Sequence, residues 1–350
     1  MIEKYTEFDG PFNFGLFLPV KQIKKEVKTA LRGFEKTAEK FRDTGDRTVL
    51  MPSLRLSIKA AKKVLSSGLD TNAISGSKDP GSEDGERINK FSELSRILNR
   101  CVFISKCLKE KKDGKALNSL CGDLRFGYKS YRDLSDQPFV LYVPKKEPPK
   151  GGWPIMVRLH GAWREMNTEG WLLQTFEWDR EFNRNCPRGN FLEIYPYGRL
   201  NDWYKGLGAL DVFDVIELVA ELFPVNKDKK VIMGSSMGGF GVWNISDKFP
   251  GEFKKFKAAC LVVAALRHDA VDINKAKSLL NTPTMFFTGG KDVPVCRDNP
   301  EKYYKWLKAR KADTRLVYSP NSGHRIETID YHVQYYRFFA EKLAVTNKYK

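Results

Sequence analysis

The sequence of 350 residues is short of the residues that build metal and redox centres: it has four histidines and six cysteines. The cysteines (Cys101, Cys107, Cys121, Cys186, Cys260 and Cys296) include no Cys-x-x-Cys pair, which argues against zinc-finger, zinc-ribbon and thioredoxin-type chemistry and leaves reduced thiols as the expectation. No apolar run is long enough to span a bilayer. The opening segment, Met1-Ile2-Glu3-Lys4-Tyr5, has neither the basic region nor the apolar stretch of a signal peptide, so a cytoplasmic location is expected. A Lys/Arg tail is also missing. Although 60 basic residues face 43 acidic ones, for a net charge of +17, the acids are interleaved almost throughout, so the excess reads as a Lys-rich solvated surface and no nucleic-acid partner is expected.

What is present is material for a core. Hydrophobic residues make up 41% of the chain and aromatics 13%, which excludes disorder as its dominant state. Apolar positions recur at helical spacing over 21–43 (Ile23, Val27, Leu31, Phe34) and 48–67 (Leu54, Ile58, Ala61, Leu65), and a third helix is expected near 87–111. The Ser/Gly/Asp/Asn/Pro-rich stretch 66–86 reads as a flexible loop. Residues 1–124 are therefore expected to be a helical extension, and residues 125–350 a separate catalytic domain.

From about 125 the period changes. Tyr128–Arg132 and Phe139–Val143 alternate around Ser135-Asp136-Gln137 as a hairpin would. Strands expected at Ile155–Leu159, Phe191–Tyr195, Lys230–Met233, Ala259–Ala264, Thr284–Thr288 and Arg315–Tyr318 then alternate with helices at 209–223, 239–248, 273–280, 300–311 and 329–343. This alternation implies an α/β fold: a mainly parallel central sheet with helices on both faces. Sites in such sheets form beyond the carboxyl ends of the strands.

The richest of those ends is Gly234-Ser235-Ser236-Met237-Gly238-Gly239, which closes a strand and opens a helix. Gly-x-Ser-x-Gly in that context lifts a serine hydroxyl out of a turn so tight that only glycine fits two residues to either side, which makes Ser236 the candidate nucleophile. A serine needs a base, and the base needs an orienting carboxylate. Of the histidines, His160 lies upstream, His268 follows Leu266-Arg267 and His332 falls within a helix, leaving His324, in the loop after the last strand. Asp292, following Gly289-Gly290-Lys291 after the penultimate strand, is the best-placed acid, ahead of Asp269, Asp272 and Asp298. After an early strand, His160-Gly161-Ala162-Trp163 can supply a main-chain donor to an oxyanion, from Ala162 or Trp163, alongside the N–H of Met237. Trp203 and Tyr204, on the loop after the strand Phe191–Tyr195, are candidate substrate contacts.

These residues carry a resemblance. Gln137-Pro138-Phe139-Val140-Leu141-Tyr142-Val143-Pro144, Tyr197-Gly198-Arg199, Asp211-Val212, Ser236-Met237-Gly238-Gly239 and Gly290-Lys291-Asp292 resemble the α/β-hydrolase carboxylesterases that include polyhydroxybutyrate-depolymerase-like, feruloyl-esterase-like and prolyl-oligopeptidase-like enzymes. The resemblance spans roughly 125–345 and implies hydrolysis of a small or polymer-linked ester through an acyl-enzyme on Ser236, with no metal or organic cofactor. It departs at Trp163, where many relatives have a small residue. Two other readings stay open: a prolyl-oligopeptidase-like serine peptidase, and a non-catalytic binding protein on the same fold.

Overall fold

In the computed structural model, residues 11–12, 20–42, 49–66, 83–162, 190–266, 275–324 and 330–345 are described. They fall into two compact units that part between Leu141 and Tyr142.

The first unit contains α1 (Val20–Lys40), α2 (Leu50–Ser66), α3 (Glu83–Lys109), β1 (Gly122–Lys129) and most of β2 (Asp136–Val143). Ile23, Val27, Leu31 and Phe34 form the buried stripe of α1, and α2 buries Leu54, Ile58, Ala61 and Val64. The expected boundary at 124/125 is too early because β1 packs on α2. Ser53 Oγ accepts the Gly127 N–H at 2.8 Å and donates to its carbonyl at 3.2 Å, and a Cβ on Gly127 would lie 2.4 Å from Leu56. The hairpin turn also falls earlier than expected, between Ser130 and Ser135, where Asp133 accepts the Ser135 N–H and hydroxyl and Leu134 takes the left-handed conformation (φ 57°). The segment expected to be a flexible loop lies mostly outside the described residues.

The second unit holds β3 (Trp153–Leu159), β4 (Leu192–Pro196), α4 (Gly206–Leu222), β5 (Val225–Ser235), α5 (Met237–Lys248), α6 (Pro250–Phe253), β6 (Ala258–Val262), β7 (Thr284–Gly289), α7 (Pro294–Ala309), β8 (Thr314–Ser319) and α8 (Asp330–Leu343). The helix expected at 273–280 is a 3₁₀ turn over Lys277–Leu280 within the described part, and α7 starts six residues before the expected 300, with Pro294 at its first position.

The strands run β4-β3-β5-β6-β7-β8, all pairs parallel. Their alternation sorts the core. Met156, Val231, Met233, Ala258, Cys260, Val262, Met285 and Phe287 cluster with Tyr335, Tyr336, Phe338 and Phe339 of α8. The intervening residues point to the opposite face, and α5 packs on β3, β5 and β6. Register then brings the carboxyl ends together: Leu159 pairs with Gly234, Ser235 with Val262, and Gly289 with Ser319. His160, Ser236, Asp292 and His324 consequently all follow strands at one edge of the sheet. β3 has β4 on one side and β5 on the other, so connections diverge there, which is where open α/β sheets form crevices. Among the described residues, no helix is long and apolar enough to cross a membrane.

Candidate active site

Ser236 stands between the end of β5 and the first residue of α5, at φ 55° and ψ −115°, a conformation that a side-chain-bearing residue holds only when its surroundings enforce it. Its N–H donates to the Val262 carbonyl at 2.9 Å, and its own carbonyl accepts from Phe240 at 3.1 Å and Ala265 at 3.0 Å. The two flanking glycines serve close approach. A Cβ on Gly234 would sit 2.1 Å from the Gly238 carbonyl oxygen, and one on Gly238 would sit 2.1 Å from that of Leu159. The second contact presses α5 against the end of β3, bringing the 160–162 loop over the serine: a Cβ on Gly161 would be 3.5 Å from Ser236 Cβ.

Asp292 and His324 meet for a related reason. After β7 the chain passes so close to the loop after β8 that a Cβ on Gly289 would lie 2.3 Å from the Gly323 carbonyl oxygen, and one on Gly290 would lie 2.6 Å from that of Pro320. Gly290 N–H donates to Ser319 at 2.8 Å and Lys291 N–H to Ser322 at 2.9 Å, clamping the two loops. Gly289-Gly290 is thus a crossing point of two segments of the chain. The Asp292 side chain is 1% exposed and that of His324 48% exposed. Nδ1 of His324 lies 3.0 and 3.1 Å from the two carboxylate oxygens, and Nε2 lies 2.8 Å from Ser236 Oγ. Asp292 Oδ1 also accepts the Val293 N–H at 2.7 Å. A carboxylate on Nδ1 selects the tautomer that presents Nε2 as the acceptor toward the serine.

The other acids and histidines separate from this group. Asp298 is paired with Arg297 at 2.6 Å, His332 is buried against Tyr335, and Asp269, Asp272 and His268 lie outside the described residues. Met237 is the first residue of α5, where helical geometry gives an N–H no partner four residues back. Ala162 is exposed on the loop beside Ser236, while Trp163 lies outside the described residues.

The loop after β4 differs from its sequence reading. Trp203 is half-buried, edge-on to Phe240 at 5.6 Å. Tyr204 has no exposed surface, so it supports the site from within and does not line its mouth. Its ring fills the space between Gly198 and Gly241, where an added Cβ would lie 2.3 and 2.5 Å away, and its hydroxyl accepts the His160 N–H at 2.8 Å. Five side-chain-bearing or glycine residues of this loop, Gly198, Arg199, Leu200, Trp203 and Tyr204, have φ between 51° and 64°. Asn244 of α5 donates to the Tyr204 carbonyl at 2.9 Å, and Asp211 of α4 holds Arg199 by an ion pair. The His160 ring nitrogens lie 2.7 Å from the Gly161 carbonyl and 2.8 Å from that of Tyr197, and burial pushes the imidazole's pKa down against the opposing pull of these two carbonyls. His160 is thus a strut between the two loops.

Residues 267–346, which include Asp292 and His324, match the prolyl oligopeptidase family. The poly(3-hydroxyoctanoate) depolymerase of Pseudomonas fluorescens is 20% identical over 219 residues, 55% of this chain and 75% of that one. Among solved structures, a ferulic acid esterase superposes with a TM-score of 0.47 at 15% identity, covering 64% of this chain and 98% of its own. A thermostable esterase gives a TM-score of 0.44 at 21% identity over 56% of this chain, which spans only 54% of that esterase.

Proposed function

We propose that this chain, an α/β-hydrolase in fold, is a serine hydrolase that cleaves carboxylic esters through an acyl-enzyme on Ser236. The observation that carries the reading is the continuous path from Asp292 to His324 Nδ1 and from His324 Nε2 to Ser236 Oγ. In this mechanism Ser236 Oγ attacks the ester carbonyl carbon as its proton passes to His324 Nε2, and the carbonyl oxygen becomes an oxyanion. The N–H groups of Met237 and Ala162 receive that charge, the first reinforced by the start of α5. Collapse expels the alcohol, which takes the proton from His324. Water, deprotonated in turn by His324, releases the acid. Asp292 holds the imidazole in place and stabilises its charged form throughout. Trp203, half-buried on the loop after β4, is placed to meet the acyl or alcohol part of the substrate.

A panel of p-nitrophenyl, feruloyl, acetyl-sugar and hydroxyalkanoate esters tests the reading and ranks substrates. Turnover should fall by about 10³-fold or more in Ser236→Ala. Undiminished turnover in that variant would remove Ser236 from the mechanism. The prolyl oligopeptidase match over 267–346 supports a second reading as a peptidase. Cleavage of Gly-Pro-anilides without ester turnover would favour it.

A further inference from the structure

Cys296 stands in the first turns of α7, 2% exposed, beside Asp292 and His324, and the proposed reaction gives it nothing to do. One donor atom from each of Asp292, Cys296 and His324 lies within 4.8 Å of the other two. Sulfur, imidazole nitrogen and carboxylate oxygen together are a donor set for a borderline-soft cation. With Zn–S near 2.3 Å and Zn–N near 2.0 Å, the donors need to close by only about 1 Å to share one ion. His324, whose side chain is half-exposed, can make that adjustment by giving up its contact with Ser236, and three protein donors leave a tetrahedral ion a fourth position for water.

We infer that Asp292, Cys296 and His324 form an inhibitory site for a soft divalent cation, of which Zn²⁺ is the representative. On binding, the S–H bond breaks, its proton leaves to water, and a metal–sulfur bond forms while imidazole and carboxylate donate lone pairs. His324 then no longer bridges Asp292 and Ser236. The thiol is almost wholly buried, so only a cation with real affinity for sulfur displaces its proton. Hard cations such as Mg²⁺ lack that affinity.

The site stands on geometry alone, while its inhibitory effect rests on the proposed hydrolase reading, so two measurements are paired. The first follows the ultraviolet cadmium–thiolate absorbance as Cd²⁺ is added to the intact protein. Wild type and Ser236→Ala should show a saturable increment that Cys296→Ala and His324→Gln lack, with thermal melts confirming that each variant is folded. An equal increment in wild type and Cys296→Ala overturns the site. The second measures ester turnover against Zn²⁺. Inhibition should reverse with EDTA, should not occur with Mg²⁺, and should weaken about tenfold or more in Cys296→Ala and in the closer-sized Cys296→Ser, both keeping the basal rate. Equal zinc sensitivity in all three proteins overturns the inhibitory role. If no ester is turned over at all, the cadmium arm still decides the site, and only the hydrolase reading has failed.

Discussion

The hydroxyl of Tyr204 accepts the main-chain N–H of His160 at 2.8 Å, joining a wholly buried phenol to the loop that carries Ala162. Removing that hydroxyl leaves the fold's packing intact and loosens only the loop. Tyr204→Phe should therefore lower kcat about tenfold, leave KM within about twofold, and reduce stability by only about 1 kcal/mol. Affinity for a trifluoromethyl ketone, whose bound form places an oxyanion beside Met237 and Ala162, should fall in parallel with kcat. A kcat equal to that of wild type would show that the strut does not position the donor.

The glycines of the elbow carry a steric prediction. Gly238→Ala forces a Cβ to 2.1 Å from the Leu159 carbonyl, a backbone atom that cannot rotate away, whereas Gly251→Ala adds its methyl where nothing lies within 4 Å. Urea titrations should give a loss of about 3 kcal/mol for Gly238→Ala and a change within about 0.5 kcal/mol for Gly251→Ala. The first variant should also lose ester turnover, because α5 and the 160–162 loop no longer meet over Ser236. Wild-type stability in Gly238→Ala would mean that β3 and α5 are not in such close contact.

Features encoded locally could be read from the sequence, and those made by distant contacts could not. Ser236 sits directly after a strand and Asp292 and His324 in the loops that follow two others, each beside glycines whose spacing signals a tight passage, so order along the chain was enough to bring them together. Tyr204 misled because an aromatic in a loop suggests a rim, while its burial depends on two glycines, Gly198 and Gly241, that come against it only after folding. The unit boundary was missed in the same way. Period-two alternation near 125 announces a strand but not what it packs on, and the deciding contact joins Gly127 to Ser53, 74 residues earlier. Arg158 and Glu193 were hidden inside apolar strand patterns, although a lone charge within each of two otherwise apolar, adjacent strands was a readable hint of pairing.

That pair makes its own prediction. Arg158 Nη1 donates to Glu193 Oε2 at 3.0 Å, Tyr195 donates to the same oxygen at 2.6 Å, and Tyr336 donates to Oε1, all beneath the sheet. Glu193→Gln keeps the shape but leaves the guanidinium without its counter-charge, at a loss of about 3 kcal/mol in denaturant unfolding. Replacing both residues with leucine should recover most of that loss, since no buried charge is then left unpartnered. A double variant as unstable as the single one would show that the network does more than neutralise itself.

His332, on α8 beside the same network, links it to pH. Burial first, and the nearby Arg158 guanidinium second, push its pKa from 6.5 down to about 3, with Glu193 pulling weakly the other way, and its Nδ1 lies 2.9 Å from the Tyr335 hydroxyl. The unfolded chain takes up a proton on this imidazole as pH falls through 6.5, while the folded chain declines it until about 3. Stability from this group is thus fully present above pH 6.5 and is lost progressively down to about 3, at up to about 1.4 kcal/mol per pH unit. Carboxylates add their own acid sensitivity, so the test is a difference. Unfolding free energies of wild type and His332→Gln, measured at half-unit steps from pH 7 to pH 4, should converge as pH falls, because the variant lacks this proton uptake. Parallel curves would mean that His332 titrates alike in the folded and unfolded chain, and that the network around Glu193 reaches solvent.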